Sequence, residues 1–297
     1  MAIINFGSIN IDHVYHVPHF VQPGETLDTT SYQVLLGGKG ANQSIALANA
    51  GAEVRHVGCI HQQDAQFKQA MIKYGINGRF IRCTDTPSGH AIIQVTPNGE
   101  NAIFLFGGAN RDINEQDISN ALADAHDDDW VLLQNETTGI EEILQQAKAK
   151  GLNVAFNPAP MTANIKRLDF TLIDLLIVNE VEAAELSEQT DNAAIEAFFR
   201  HHFAHGAVII TQGKAGAKWF AGEETVFMPA FVVDAVDTTA AGDTFIGFFL
   251  AHYQTSCEVE SALRYACAAS ALAVTKTGAA QSIPTMTQVS TFLAEQG

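Results

Sequence analysis

Apolar runs bounded by glycine and polar turn residues recur along this chain, and their lengths alternate between those of strands and those of helices. Residues 2–6 read as a buried strand stopped by Gly7-Ser8, and residues 29–36 as another strand. Phe67, Ala70, Met71 and Tyr74 recur at helical spacing after Asp64, a natural N-cap, and Gly75 closes that helix. Residues 91–96 and 101–106 flank Pro97-Asn-Gly-Glu100, which predicts a β-hairpin with an Asn-Gly turn. From about Asn114 the chain alternates. Helices are predicted over 113–125 and 140–150, and strands over 130–133, 152–156, 172–178 and 207–211. An apolar helix follows Asp243, and a long helix of small residues spans 258–275. Such alternation predicts an α/β fold, a doubly wound, mostly parallel sheet with helices on both faces. The hairpin and the strand near 29–36 predict a second, small sheet of the kind that acts as a lid.

Sheets of this type bind ligands at the carboxyl ends of their strands. Glu136, Asn157, Asn179, Glu182 and Thr211 all fall at or just beyond such ends. Asn10 and Asp12 lie two apart, so an extended segment puts both on one face, where they suit two hydroxyls of a polyol. A turn using Asn and Asp for local backbone bonds would carry the same residues. Gly37-Gly-Lys-Gly-Ala-Asn-Gln43 precedes a helix predicted over 44–50, and its glycines allow a ligand close to the backbone, with Lys39 and Asn42 as donors. A plain strand-to-helix turn reads the same way. Asp237-Thr-Thr-Ala-Ala-Gly-Asp243 sets small residues and a carboxylate at a helix start, where unpaired amides and the helix dipole attract an anion. A carboxylate beside an anion suggests a general base, although Asp is also common at helix starts for capping alone. The loop Lys276–Ser282 exposes carbonyls suited to a monovalent cation, or is a simple C-cap loop around Gly278.

The chain has 297 residues, 47% hydrophobic and 16% charged, enough for a sizeable core. Its net charge of −17 and lack of a basic run argue against nucleic acid and anionic membrane as partners. Four cysteines lie far apart with no CxxC pair, the N-terminus has no export signal, and no run reaches about 18 apolar residues. A cytoplasmic protein is expected. The i,i+4 histidines of His201-His-Phe-Ala-His205 have no further ligand at metal-site spacing, so a solvated helix end is expected. Asp127-Asp-Asp129 is expected to be a solvated run. There is no GxxxxGK[ST], GxGxxG, HRD, DFG, HExxH or GxSxG, so P-loop enzymes, dinucleotide dehydrogenases, protein kinases, zincins and α/β-hydrolases lose support.

Taken together, these segments resemble the ribokinase branch of the PfkB carbohydrate kinase family over nearly the whole chain. The resemblance rests on Gly7-Ser-Ile-Asn-Ile-Asp12, Gly37-Gly-Lys-Gly-Ala-Asn42, Asn157-Pro-Ala-Pro160, Asn179-Glu-Val-Glu182, Thr211-Gln-Gly213 and Asp237-Thr-Thr-Ala-Ala-Gly-Asp243, in order. It implies one domain over 1–297 with lid strands inserted at about 12–36 and 88–108, and a homodimer through the lid. It implies ATP-dependent phosphorylation of the primary 5-hydroxyl of D-ribose, with Mg²⁺ and K⁺; deoxyribose, a ketohexose or a nucleoside is the alternative acceptor, and a non-catalytic sugar or nucleotide sensor the more distant one. Asp243 matches the catalytic base, with Ala241 and Gly242 as anion hole. Asn10, Asp12, Gly38, Lys39, Asn42 and Glu136 match sugar contacts. Asn179, Thr211, Gly213, Gly216 and Gly242 match the nucleotide site, with Glu182 near Mg²⁺. Asp237, Thr239, Ala273, Lys276, Gly278 and Ser282 match a K⁺ loop. Two departures stand out. Ile60-His-Gln-Gln-Asp64 lacks the glycine usual before that Asp, and His90, Phe104 and Phe106 are bulky for lid strands, which would weaken ribose specificity if any faced the sugar.

Overall fold

The computed structural model describes residues 1–296. Its strands, in chain order, are β1 (Ala2–Phe6), β2 (Asn10–His16), β3 (Ser31–Gly37), β4 (Glu53–His61), β5 (Ile81–Thr84), β6 (Gly89–Val95), β7 (Asn101–Phe106), β8 (Trp130–Gln134), β9 (Asn153–Asn157), β10 (Leu175–Asn179), β11 (Ala207–Thr211), β12 (Gly216–Ala221) and β13 (Glu224–Pro229). The helices are α1 (Lys39–Asn49), α2 (Ala65–Lys73), α3 (Glu115–Leu122), α4 (Ile140–Ala149), α5 (Glu180–Ser187), α6 (Asn192–His202), α7 (Ala241–Ser256), α8 (Val259–Val274) and α9 (Met286–Glu295). Among the described residues, no helix is long and apolar enough to cross a membrane.

Nine strands form the main sheet in the order β13-β12-β11-β10-β9-β8-β1-β4-β5. All its pairings from β5 to β11 are parallel, and β12 and β13 add an antiparallel edge. Strand β1 shows why the sheet holds two layers apart. Ile4 and Phe6 point to the layer that includes Ile118, Ile143 and Phe199, while Ile3 points to the one that includes Ile45, Phe248 and Ala266. Burial on both faces makes parallel strands read as continuous apolar runs. The order reverses around β1, which has β4 on one side and β8 on the other, and the crevice at such a reversal is where ligands bind.

The second sheet runs β3-β2-β6-β7. Its register answers the question raised by the bulky residues. Asp12 pairs with Leu35 and Ala91, and Ala91 with Leu105, so these share one face. His90 pairs with Phe106 and Ile92 with Phe104, in the alternate register, so His90, Phe104 and Phe106 stand on the face opposite Asp12.

Several expectations are corrected. The glycine-rich stretch does not precede a helix; α1 begins at Lys39, with Gly38 before it at φ 91°, and Gly40 lies in the first turn. A Cβ at Gly40 would overlap the backbone of Gly7 and Ser8, so only glycine lets this turn sit against the end of β1. Asp64 precedes α2 but does not cap it; its carboxylate accepts from Ser88 Oγ at 2.7 Å. Asp129 is not solvated: it is 3% exposed and accepts from the Ala2 and His126 amides. The expectation for 201–205 holds: His201 and His202 are exposed and close α6, a solvated helix end.

Candidate active site

The reversal crevice is bridged by side chains from both of its walls. Ser8, just past β1, donates to the Glu136 carboxylate, just past β8, and the Lys39 amide donates to the same oxygen at 3.2 Å. Burial raises Glu136 above the usual carboxylate value, against the opposing bonds from Ser8 and Lys39. Burial would lower Lys39, but Asp243, Glu136 and Glu182 outweigh it and hold the ammonium charged.

Helix α7 starts after Ala240, a non-glycine residue in the left-handed region at φ 59°. Asp243 is thus the third residue of the helix, and the residue is 9% exposed. Its carboxylate accepts from Asn42 Nδ2 and from Gln43 Nε2, each at 3.0 Å. Asn42 Oδ1 is buried with no partner among the described residues, an acceptor left for an incoming hydroxyl. The Ala241 amide is not free for an anion: it donates to the Thr238 carbonyl at 3.3 Å. The next amides, of Gly242 and Asp243, belong to the opening turn, which has no intrahelical acceptors.

Two cavities meet at Gly242. A polar one of about 250 Å³ brings together Lys39, Asn157, Asn179, Glu182, Thr211 and Asp243. The other, about 470 Å³, is walled by Phe231, Val232, Ala271 and Val274 and includes Gly213, Gly216 and Ala241. Thr211, Thr238 and Gly242 line both. The arrangement suits a ligand with a flat, largely apolar end in one cavity and an anionic end at the helix start. Asn179 and Glu182 form a reciprocal capping box on α5, at 2.8 and 3.0 Å, which fixes both at the polar cavity. Burial raises Glu182, opposed by the Asn179 amide and Lys39.

Asn10 and Asp12 lie where β2 leaves the body for the lid. Asn10 is 4% exposed and its Oδ1 accepts from Asn110 Nδ2 at 2.7 Å, a partner that residue spacing alone did not single out. Gly38 packs against Ser8 and the Asn10 amide. Burial, and then Glu136, raise Asp12 from 3.8 to about 6. Between those values the folded state holds the proton more tightly than the unfolded chain, so ionised Asp12 costs stability, fully so above about pH 6. Asp12→Asn is therefore expected to raise Tm by a few degrees near neutrality, with the gain shrinking as pH falls toward 4. Thermal melts of both proteins across pH check this, and a pH-independent difference would contradict it.

Of the cation-loop residues, Asp237 accepts from the Gly278 amide at 2.8 Å and the Thr239 amide at 2.9 Å, tying the two loops together. Burial would raise Asp237, but bonds from the Thr239 hydroxyl, the Gly278 amide and the Thr239 amide outweigh it and keep it ionised. Lys276 donates its amide to the Ala273 carbonyl, and the buried Ser282 hydroxyl donates to Ala279. An ionised carboxylate offers a hard oxygen ligand, which suits a hard cation better than a soft transition metal.

Residue spacing also passed over Ser8, Gln43 and Gln134. Gln43 closes the glycine-rich signature, and Ser8 follows the first strand, so position alone marked both; Gln134 ends an apolar strand and gave no signal.

A family model described as pfkB family carbohydrate kinase matches residues 2–286. A ribokinase of Haemophilus influenzae is 39% identical, over 97% of this chain and 96% of that protein. A deoxyribokinase of Salmonella typhi is 32% identical over 99% of each. The solved structure of Arabidopsis thaliana ribokinase complexed with ribose and ATP is 28% identical, with a TM-score of 0.88 over 99% of each chain.

Proposed function

The chain belongs to the pfkB family of carbohydrate kinases, and we propose that it transfers the γ-phosphate of ATP to the primary 5-hydroxyl of D-ribose. The observation that carries this reading is the Asp243 carboxylate, held by Asn42 and Gln43 at the start of α7, in one cavity with Lys39, Asn179 and Glu182. Asp243 takes the hydroxyl proton as the oxygen attacks phosphorus, and the α7 opening turn, with Lys39, meets the charge on the transferring group. The adenine occupies the apolar cavity beside Gly213 and Gly216, and Asn10, Asp12, Gly38, Asn42 and Glu136 hold the sugar hydroxyls. Mg²⁺, when bound, would supply charge neutralisation on the phosphates, and Glu182, at the polar cavity with Lys39 and Asp243, would be the carboxylate to hold it. A K⁺ held by Asp237 and its neighbouring loops would add positive potential near the α7 start. Ribose, deoxyribose, ketohexoses and nucleosides assayed in turn with ATP test the acceptor. Ribose is expected to give the highest kcat/KM; a higher value for deoxyribose would transfer the assignment to the activity named for the Salmonella relative. Exchanging Na⁺ for K⁺ is expected to raise the rate several-fold, and equal rates would remove the Asp237 loops from the reaction.

The lid supports a homodimer. On the Asp12 face Ile103 and Leu105 are 55% and 52% exposed, and on the other Phe104 is 62% exposed. A small sheet apolar on both sides needs covering, and a second lid supplies matching surface. Leu105→Asp is expected to give monomers by light scattering and to raise the sugar KM; an unchanged dimer would place the interface elsewhere.

A further inference from the structure

Behind the base lies a chain of buried polar side chains in a layer that is otherwise apolar. Asn5, Gln43, Ser44, His56 and Gln134 are each fully buried. Burying so many amides is costly unless they are bonded, and in these five side chains only Gln134 Oε1 lacks a partner among the described residues, so the bonding pattern is informative.

The direction of every bond is fixed by two backbone carbonyls, which can only accept. Asn5 Nδ2 donates to the Gly40 carbonyl at 2.9 Å and to Ser44 Oγ at 2.8 Å, which leaves Asn5 Oδ1 as an acceptor. Gln134 Nε2 fills it at 2.9 Å and donates its other hydrogen to Gln43 Oε1 at 2.7 Å. Gln43 therefore presents Nε2, not Oε1, to the Asp243 carboxylate. At the far end His56 Nε2 faces the Gly7 carbonyl at 3.1 Å, so its Nδ1 accepts the Ser44 hydroxyl at 2.8 Å, and Ser44 in turn accepts from Asn5. Burial pushes His56 down to about 4, which keeps it the neutral acceptor this pattern needs. The two ends agree. Were Gln43 turned over, its oxygen would face the carboxylate and its nitrogen would face the Gln134 nitrogen.

We infer that Gln43 is a positioning residue for Asp243, locked by Gln134 and Asn5 in the one orientation that donates to the carboxylate. Asn42 holds one oxygen and Gln43 the other, so the carboxylate plane is fixed toward the substrate hydroxyl. A base misplaced by about 1 Å loses on the order of 10² in rate. This rests on the phosphoryl-transfer reading above.

The test is a cycle of Gln43→Met, Gln134→Met and the double variant, assayed by ribose-dependent ADP release. An ADP-induced rise in Tm reports on folding. Gln43→Met is expected to lose about 10–10² in kcat with KM for ribose and ATP within about threefold, the pattern of a contact that matters in the transition state. Gln134→Met, which does not touch Asp243, is expected to lose about 5–10-fold. The double variant is expected to be no slower than Gln43→Met, because Gln134 acts through Gln43. Wild-type kcat in folded Gln43→Met, or additive losses in the double, overturns the inference. If Gln43→Met does not fold, undiminished kcat in Gln134→Met overturns it alone. A wild type that releases no ADP with any acceptor overturns the kinase reading instead, before any variant is read.

Discussion

Asp243→Ala is expected to cut kcat by about 10²–10⁴ while the protein stays folded and still binds ADP. The size follows from what is removed. In the proposed mechanism this carboxylate is the proton acceptor, and among the described residues no other carboxylate shares its contacts with Asn42 and Gln43. Glu136 is tied to Ser8 and the Lys39 amide, and Glu182 to its capping box, so neither takes over the bonds of Asn42 and Gln43 that orient a base at the start of α7. Folding survives because the loss leaves two buried amide donors short of an acceptor, a cost of about 1–3 kcal/mol each before a water fills the gap. Thermal melting with and without ADP, beside turnover with saturating ribose and ATP, separates the two effects. Turnover within a few-fold of the parent would remove Asp243 from the chemistry and with it the reason for reading the crevice as a phosphotransferase site.

Gly247→Val is expected to lower Tm by on the order of 5 °C and to lose activity well below the new melting point. A Cβ at Gly247 of α7 would overlap Ala46 Cβ and stand 2.8 Å from the Leu47 amide of α1. The obstacle is backbone, which cannot rotate away as a flexible side chain can, so the two helices must part. Their separation matters for more than packing. Helix α1 carries Asn42 and Gln43, and α7 carries Asp243, so a shift at the crossing pulls both donors off the carboxylate. Calorimetry and initial rates at 25 °C check both halves of the expectation. Full activity with an unchanged Tm would mean that the crossing has slack the packing does not reveal.

The architecture and the residues at strand ends were legible because both are local signals. An apolar run closed by a polar pair marks a carboxyl end, and Glu136, Asn179 and Thr211 each followed such a run. The antiparallel edge β12–β13 was not, since Gly216-Ala-Lys-Trp-Phe-Ala221 does not alternate in burial and follows directly on the loop after Thr211. The start of α1 was misplaced because glycine is a poor helix former, and here packing on Gly7 overrides propensity. Asp64 and Asp129 were misjudged for one reason. Each finds its partners far along the chain or in a neighbouring turn, Ser88 for one and the Ala2 amide for the other, and no local pattern encodes those. The same holds for the chain of amides from Asn5 to Gln43, and for the Ala241 amide, which a tight turn commits to Thr238. The faces of His90, Phe104 and Phe106 depended on register, where a slip of one residue exchanges the sides.

The bond between Asn42 and Asp243 joins positions 201 apart. During synthesis the amide donors leave the ribosome long before their acceptor exists. A chain halted after β11 has every parallel strand of the main sheet, and yet nothing to deprotonate a sugar. In the proposed mechanism, competence therefore arrives late, when α7 lies across α1, and a chain stopped earlier lacks the base.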